Sequence, residues 1–168
     1  TFIDLFAGIG GMRIPFDELG CECVFTSEFD KFAQQTYEAN FHEIPEGDIT
    51  QIREQDIPPH DLLLAGFPCQ AFSQAGLKKG FDDTRGTLFF DIARILEYHK
   101  PKAFLLENVK GLRGHDGGNT FNTIIRVLER QLQYNVQTVV LNARDFGLPQ
   151  NRQRIFIVGF REFRDSFN

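Results

Sequence analysis

Tryptophan is absent from these 168 residues, methionine occurs once and cysteine three times. So sparse and odd a set of cysteines makes no disulfide framework; it suits a reducing compartment such as the cytoplasm, with the fold held by burial alone. No apolar run approaches the roughly 18–20 residues that cross a bilayer, and no basic, apolar, small-residue segment opens the chain. A positive excess is missing too. Eighteen Lys and Arg against 23 Asp and Glu leave a net charge of −5, which excludes nucleic-acid binding by charge alone. With 42% apolar and 24% charged residues the chain is neither disordered nor low in complexity, and its length suits one sizeable core. No repeat and no Pro/Gly/Ser linker divides it, so residues 1–168 read as a single domain. The chain enters at Thr1 already inside an apolar run and ends soon after another, as expected of a piece of something longer.

Phenylalanine is plentiful, at 19 residues, and charge is unevenly spread. Residues 1–84 carry 15 acidic against 5 basic side chains; residues 85–168 carry 8 against 13. One compact body with an acidic half and a basic half can keep a cofactor side apart from a side facing phosphates.

β-rich runs occur at 2–6, 22–27, 61–66, 102–107, 135–141 and 154–160, with a weaker one near 44–49. Between them Phe29, Phe32, Ala33, Tyr37 and Phe41 recur at helical spacing, as do Leu88, Phe89, Ile92, Ile95 and Leu96. Phe121, Ile124, Ile125, Leu128 and Leu132 form a third stripe, with Asn119 as its expected N-cap. The aromatic stripes read as core. Alternating strands and helices predict an α/β doubly wound, Rossmann-like fold whose mostly parallel sheet is covered on both faces. Residues 142–153 lack a helical pattern, so the last two strands are expected to form an antiparallel hairpin at one edge.

Chemistry-bearing residues gather at predicted strand ends. Asp4-Leu5-Phe6-Ala7-Gly8-Ile9-Gly10-Gly11 follows the first strand and precedes a helix, where doubly wound folds bind nucleotide-like ligands. Its spacing is not that of a dinucleotide pyrophosphate loop, which disfavours a nicotinamide-dependent oxidoreductase. Glu28 ends the second strand, where a carboxylate can accept both ribose hydroxyls. Asp48 and Ile49 offer a polar contact and an apolar wall for an adenine. Cys69, between Pro68 and Gln70 beyond the strand ending at Gly66, is a nucleophile candidate. Cys21 and Cys23 have no second pair to complete a metal site and read as packing; no metal is expected. Glu107 ends a buried strand, where desolvation would raise its pKa toward that of a proton donor. Arg152 and Arg154, two apart at the last strand, are expected to aim two guanidiniums from one face.

The glycine turn, GFPCQ at 66–70, ENV at 107–109 and QNRQR at 150–154 together resemble the cytosine-5 DNA methyltransferases, in particular the bacterial, HhaI-like branch of restriction-modification enzymes. The resemblance covers essentially the whole chain. It implies S-adenosylmethionine as cofactor, held by Phe6, Gly8, Gly10, Glu28, Asp48 and Ile49, with Pro68 and Leu88 lining the pocket. It further implies Cys69 as the thiolate that adds to carbon 6 of cytosine. Glu107 then acts at ring nitrogen 3, Arg154 at the base's carbonyl oxygen, and Arg152 in support. Residues 70–86 match the loop that closes over a flipped base. Ala75 stands where some relatives carry Ser. The family's target-recognition region and its last segment beside the cofactor have no counterpart here. The chain alone is therefore expected to bind cofactor weakly and to methylate duplex DNA only when recognition is supplied in cis or in trans. An RNA (tRNA) cytosine-5 methyltransferase and an inactive cofactor-binding subunit are the alternatives; Phe67 in GFPCQ is closer to the DNA branch.

Overall fold

The structure is a computed structural model and describes residues 1–68 and 88–161. Cys69 and the expected base-closing segment 70–86 lie outside the described residues. Six strands, β1 (Phe2–Leu5), β2 (Cys23–Ser27), β3 (Leu62–Gly66), β4 (Ala103–Val109), β5 (Asn135–Asn142) and β6 (Gln153–Phe160), form one sheet in the order β2-β1-β3-β4-β6-β5. β1 to β4 run parallel; β6 is antiparallel to both β4 and β5, the edge hairpin expected. The helices are α1 (Arg13–Glu18), α2 (Lys31–Phe41), α3 (Leu88–His99) and α4 (Asn119–Arg126), the last continued by a π-turn over Val127–Gln131.

Period-2 burial explains the layering. Ile3, Leu5, Leu63, Ala65, Phe104, Leu106, Ile155 and Ile157 point to one face and close a core with Phe89, Ile92, Ile95 and Leu96 of α3 and Ile124 and Leu128 from α4 and its continuation. Gly159 belongs to this packing: a Cβ there would come within 2.2 Å of the Phe104 ring, so only glycine lets β6 carry that aromatic against its backbone. The opposite face is covered over β1 by α1 and α2, through Phe16 against Phe2 at 5.7 Å and the fully buried Tyr37. Leu105, Leu141 and Phe156, on the same face beyond β3, line an open cavity instead. The expectation of a sheet covered on both faces thus holds, among the described residues, for only part of it.

Several local expectations are corrected. Phe29 and Phe32 are each 77% exposed, so the first aromatic stripe is not core; Tyr37 alone of α2 is buried. The carboxylate of Asp30 caps α2 by accepting from the backbone N–H groups of Phe32 and Ala33, which starts the helix beyond Phe29. The weak run near 44–49 is no strand. A single bridge, Ser27 with Glu46, is followed by 3-10 turns at Ile49–Gln51 and Glu54–Asp56. α4 is capped by Gly118 in left-handed conformation, with Asn119 already its first residue. Cys21 is exposed rather than packed. Among the described residues no helix is long and apolar enough to cross a membrane.

Candidate active site

The chain runs outward from β1 in both directions, β2 on one side and β3 on the other, so a crevice opens beyond their carboxyl ends. The same edge receives the end of β4 and, because β6 runs the other way, the beginning of β6. Residues far apart in the sequence therefore meet there: the glycine turn, Glu28, Gly66 to Pro68, Glu107, Arg152 and Arg154. Two cavities share Phe6 and Gly66 as a common wall.

The smaller cavity, about 480 Å³, is lined by Phe6, Ser27, Glu28, Phe29, Asp48, Ile49, Pro68 and Leu88, among others. These include six of the residues expected around a cofactor. Phe6 enters the turn with φ of 55°, a left-handed conformation that costs a phenylalanine about 1–2 kcal/mol and is held by its surroundings. Glu28 lines this cavity and also holds backbone. Its two carboxylate oxygens already accept backbone N–H bonds, Oε2 from Gly8 and Oε1 from Asp30, both at 2.7 Å. It fastens the glycine turn to the β2–α2 turn, and only the remaining lone pairs are left for a ligand. Asp48 likewise accepts from the Thr50 backbone N–H at 2.9 Å, while Ile49, 3% exposed, supplies an apolar wall. Gly8 and Gly10 line neither cavity. Gly10, at φ of 89°, has the Phe41 ring where a Cβ would stand, so it serves the close packing of the turn on α2. The sequence reading missed Phe29 as a pocket residue by counting it into a helical stripe; its place directly after Glu28 was the available signal.

The larger cavity, about 660 Å³, is lined by Asp4, Met12, Leu105, Glu107, Arg152, Arg154 and a set of apolar side chains including Ile9, Phe146 and Leu148. Alternation along β4 turns Leu105 and Glu107 into it and Asn108 away from it. Glu107 is paired at this wall: Arg154 Nε meets its Oε1 at 2.7 Å, with Arg154 24% and Glu107 21% exposed. Oε2 lies on the Gly66 side, 3.7 Å from where a Cβ on that glycine would be. Arg154 also donates to the Gln153 carbonyl through Nη1. Arg152 precedes β6 rather than lying in it, is exposed, and makes no ion pair among the described residues, yet lines the same wall as Arg154.

Asn108, 1% exposed, donates from Nδ2 to the Phe67 carbonyl at 2.8 Å and accepts the Val109 N–H through Oδ1. It ties β4 to the segment just before Cys69, a role unread from the sequence although a buried carboxamide must find such partners. Asn142 does the same for the other arm, accepting the Arg152 backbone N–H at 3.1 Å and donating to Asn151. Asp4 lies 1% exposed with neither carboxylate oxygen hydrogen-bonded among the described residues, and burial pushes its pKa up to about 7 against the pull of Arg13. No cluster of three or more metal-ligating side chains exists among the described residues.

The fold overlays those of solved methyltransferases. These include Schizosaccharomyces pombe Dnmt2 methyltransferase (TM-score 0.77, 23% identity, 99% of this chain and 52% of that one) and a Spodoptera frugiperda DNMT2 variant (TM-score 0.77, 27% identity, 99% and 53%). The chain belongs to the C-5 cytosine-specific DNA methylase family, whose pattern matches residues 1–167. It is 66% identical over 161 residues to Type II methyltransferase M.DsaV of Dactylococcopsis salina (96% of this chain, 46% of that protein). To M.HhaI of Haemophilus parahaemolyticus it is 56% identical over 160 residues (95% and 49%). The chain spans about half the length of the curated relatives it matches.

Proposed function

We propose that this chain is the catalytic and cofactor-binding part, residues 1–168, of an enzyme that transfers a methyl group from S-adenosylmethionine to carbon 5 of cytosine in duplex DNA. The observation that carries the reading is the meeting of Glu107, Arg154 and Gly66, at the end of β3, across a wall shared with a nucleoside-sized cavity. That cavity fits the cofactor: Glu28 and Asp48 keep acceptor capacity for hydroxyl and amino groups, between the apolar or aromatic surfaces of Ile49, Leu88 and Phe29. When bound, S-adenosylmethionine supplies an electrophilic methyl group.

The chain's own residues prepare the base. Carbon 5 of cytosine is a poor nucleophile until the Cys69 thiolate adds at carbon 6, forming the S–C bond and moving an electron pair toward ring nitrogen 3. Glu107, with Oε1 engaged by Arg154, gives a proton to that nitrogen from Oε2 and takes it back when the ring re-forms. Arg154, with Nε and Nη1 committed, turns Nη2 to the base's carbonyl oxygen. After methylation, loss of the carbon 5 proton returns electrons to the ring, and the S–C bond breaks to free the thiolate. The base reaches this pocket by leaving the duplex stack, at a cost of a few kcal/mol. Arg152 and the basic second half face the phosphates.

A specific protein–DNA interface buries about 1,000–2,500 Å². We assign target recognition to sequence outside these 168 residues, in cis or in trans, and place the protein in a bacterial cytoplasm, where Cys69 stays reduced. Tritium transfer from labelled S-adenosylmethionine tests the reading. The chain alone should give negligible incorporation into mixed-sequence duplex DNA, and fusion to the carboxyl-terminal half of a type II relative should give site-specific incorporation. Incorporation into tRNA and not into duplex DNA would overturn the substrate assignment.

A further inference from the structure

The segment that supplies the Asp48–Ile49 wall lacks the strand expected of it. Beyond the Ser27–Glu46 bridge it has no ladder, only two successive 3-10 turns whose backbone bonds are internal, Gln51 N–H to Asp48, Ile52 N–H to Ile49 and Ile57 N–H to Glu54. Internal bonds shape such a segment without locating it. Ile49 and Ile57 anchor it in the core, but buried apolar contact is non-directional and sets depth better than orientation.

The directional contacts come from α3. Arg94 Nη2 donates to the Ile49 carbonyl at 2.7 Å, Nη1 pairs with Glu54 at 3.0 Å, and Nε pairs with Asp91 one turn back on its own helix at 3.0 Å. His99 Nε2 donates to the Glu54 carbonyl at 2.8 Å. Asp91 fixes the plane of the guanidinium, so the fork presents its other edge to the segment in one orientation. Leu88, at the start of the same helix, lines the same cavity.

We infer that Arg94 is a positioning residue for the cofactor, holding the Ile49 wall of the nucleoside cavity at a fixed distance from α3. The inference rests on the cofactor reading above. Arg94 touches no ligand; it acts through Ile49. Its loss should therefore weaken adenosine and S-adenosylhomocysteine by the same factor, because both share the adenine end.

The experiment is done in the fusion that carries the carboxyl-terminal half of a type II relative, and compares the parent with Arg94→Met, which keeps the apolar stem, and Arg94→Lys, which keeps one charged donor. Titration calorimetry with adenosine and with S-adenosylhomocysteine should show about five- to tenfold weaker binding of both to the Met variant, partly restored in the Lys variant. Ligand-free amide exchange should speed up at residues 49–52 and stay unchanged at Leu63–Ala65 in β3. Unchanged affinity despite faster local exchange would overturn the inference, and so would exchange rising equally through the sheet. If the parent binds neither probe while exchange still rises only at 49–52, the holding role stands and the cofactor reading falls.

Discussion

The two cavities on either side of Phe6 and Gly66 are built on different plans. Around the smaller one, side chains grip backbone: Glu28 holds two N–H groups, Asp48 one, and Arg94 a carbonyl. Its loops are in place before any ligand arrives. Around the larger one, apart from Arg154 on the Gln153 carbonyl, the charged side chains at the wall pair with each other or, among the described residues, with nothing. Glu107 and Arg154 form a pair at the bottom, Arg152 is exposed at the wall, and Ile9, Phe146 and Leu148 are each more than half exposed. A pocket for a small cofactor gains from preorganisation, since each ordered loop is an ordering cost not met on binding. A pocket for a base that must first leave a duplex has to stay open to a large partner.

Cys69→Ser makes the sharpest break between the two. If the cavities are separate in function, methyl transfer by the recognition-competent fusion should fall on the scale seen for deleting a nucleophile, about a millionfold. The S-adenosylmethionine dissociation constant should stay nearly unchanged. A covalent adduct with DNA containing 5-fluorocytosine, formed by the parent and absent from the variant, is the direct readout; undiminished turnover would return Cys69 to a structural role.

Asp4 stands beneath the wall between the two regions and gives the next largest effect. Its folded pKa, about 7, lies above the ordinary 3.8, so between these values the native state holds a proton that the unfolded chain has released. Stability should therefore fall as pH rises from about 4 to about 7, by on the order of 4 kcal/mol from this group. Asp4→Asn has no such proton to lose. Urea unfolding at pH 5 and pH 8 should show a much smaller drop for the variant, and equal drops would mean that Asp4 does not carry the slope.

The smallest effect sharpens the preorganised side. Glu28→Ala should weaken S-adenosylmethionine by about 1.5–3 kcal/mol, the range for hydrogen bonds to a charged group, through lost ligand contacts and a loosened glycine turn. Calorimetry reads the affinity, and amide exchange at Gly8 reads the turn. Faster exchange at Gly8 with an unchanged dissociation constant would leave Glu28 as a fastener only.

Much of this molecule was legible before any coordinates. Six apolar runs became six strands within a few residues of their expected bounds, because strand period and turn residues are written in neighbouring positions. The order of the glycine turn, GFPCQ, ENV and QNRQR pointed to a candidate site at the sheet's carboxyl edge, since each motif follows or opens a strand. Where the reading failed, the deciding partner was distant. The run near 44–49 had strand-like residues but no neighbouring strand to pair with beyond one bridge. Phe29 and Phe32 had helical spacing, but spacing does not say whether a facing surface exists to bury them.

Sequence by itself determined the alternation of elements, the family and the roster of candidate side chains for the site, all of which are encoded in local pattern. Tertiary structure alone decided how those side chains are spent. Glu28 gives both oxygens to backbone, Glu107 meets Arg154 across two antiparallel strands, Asn108 reaches back to Phe67, and Asp4 is left without a hydrogen-bond partner among the described residues. Each depends on a group brought near by folding, and a hydrogen bond or ion pair forms only where distance and direction are met together.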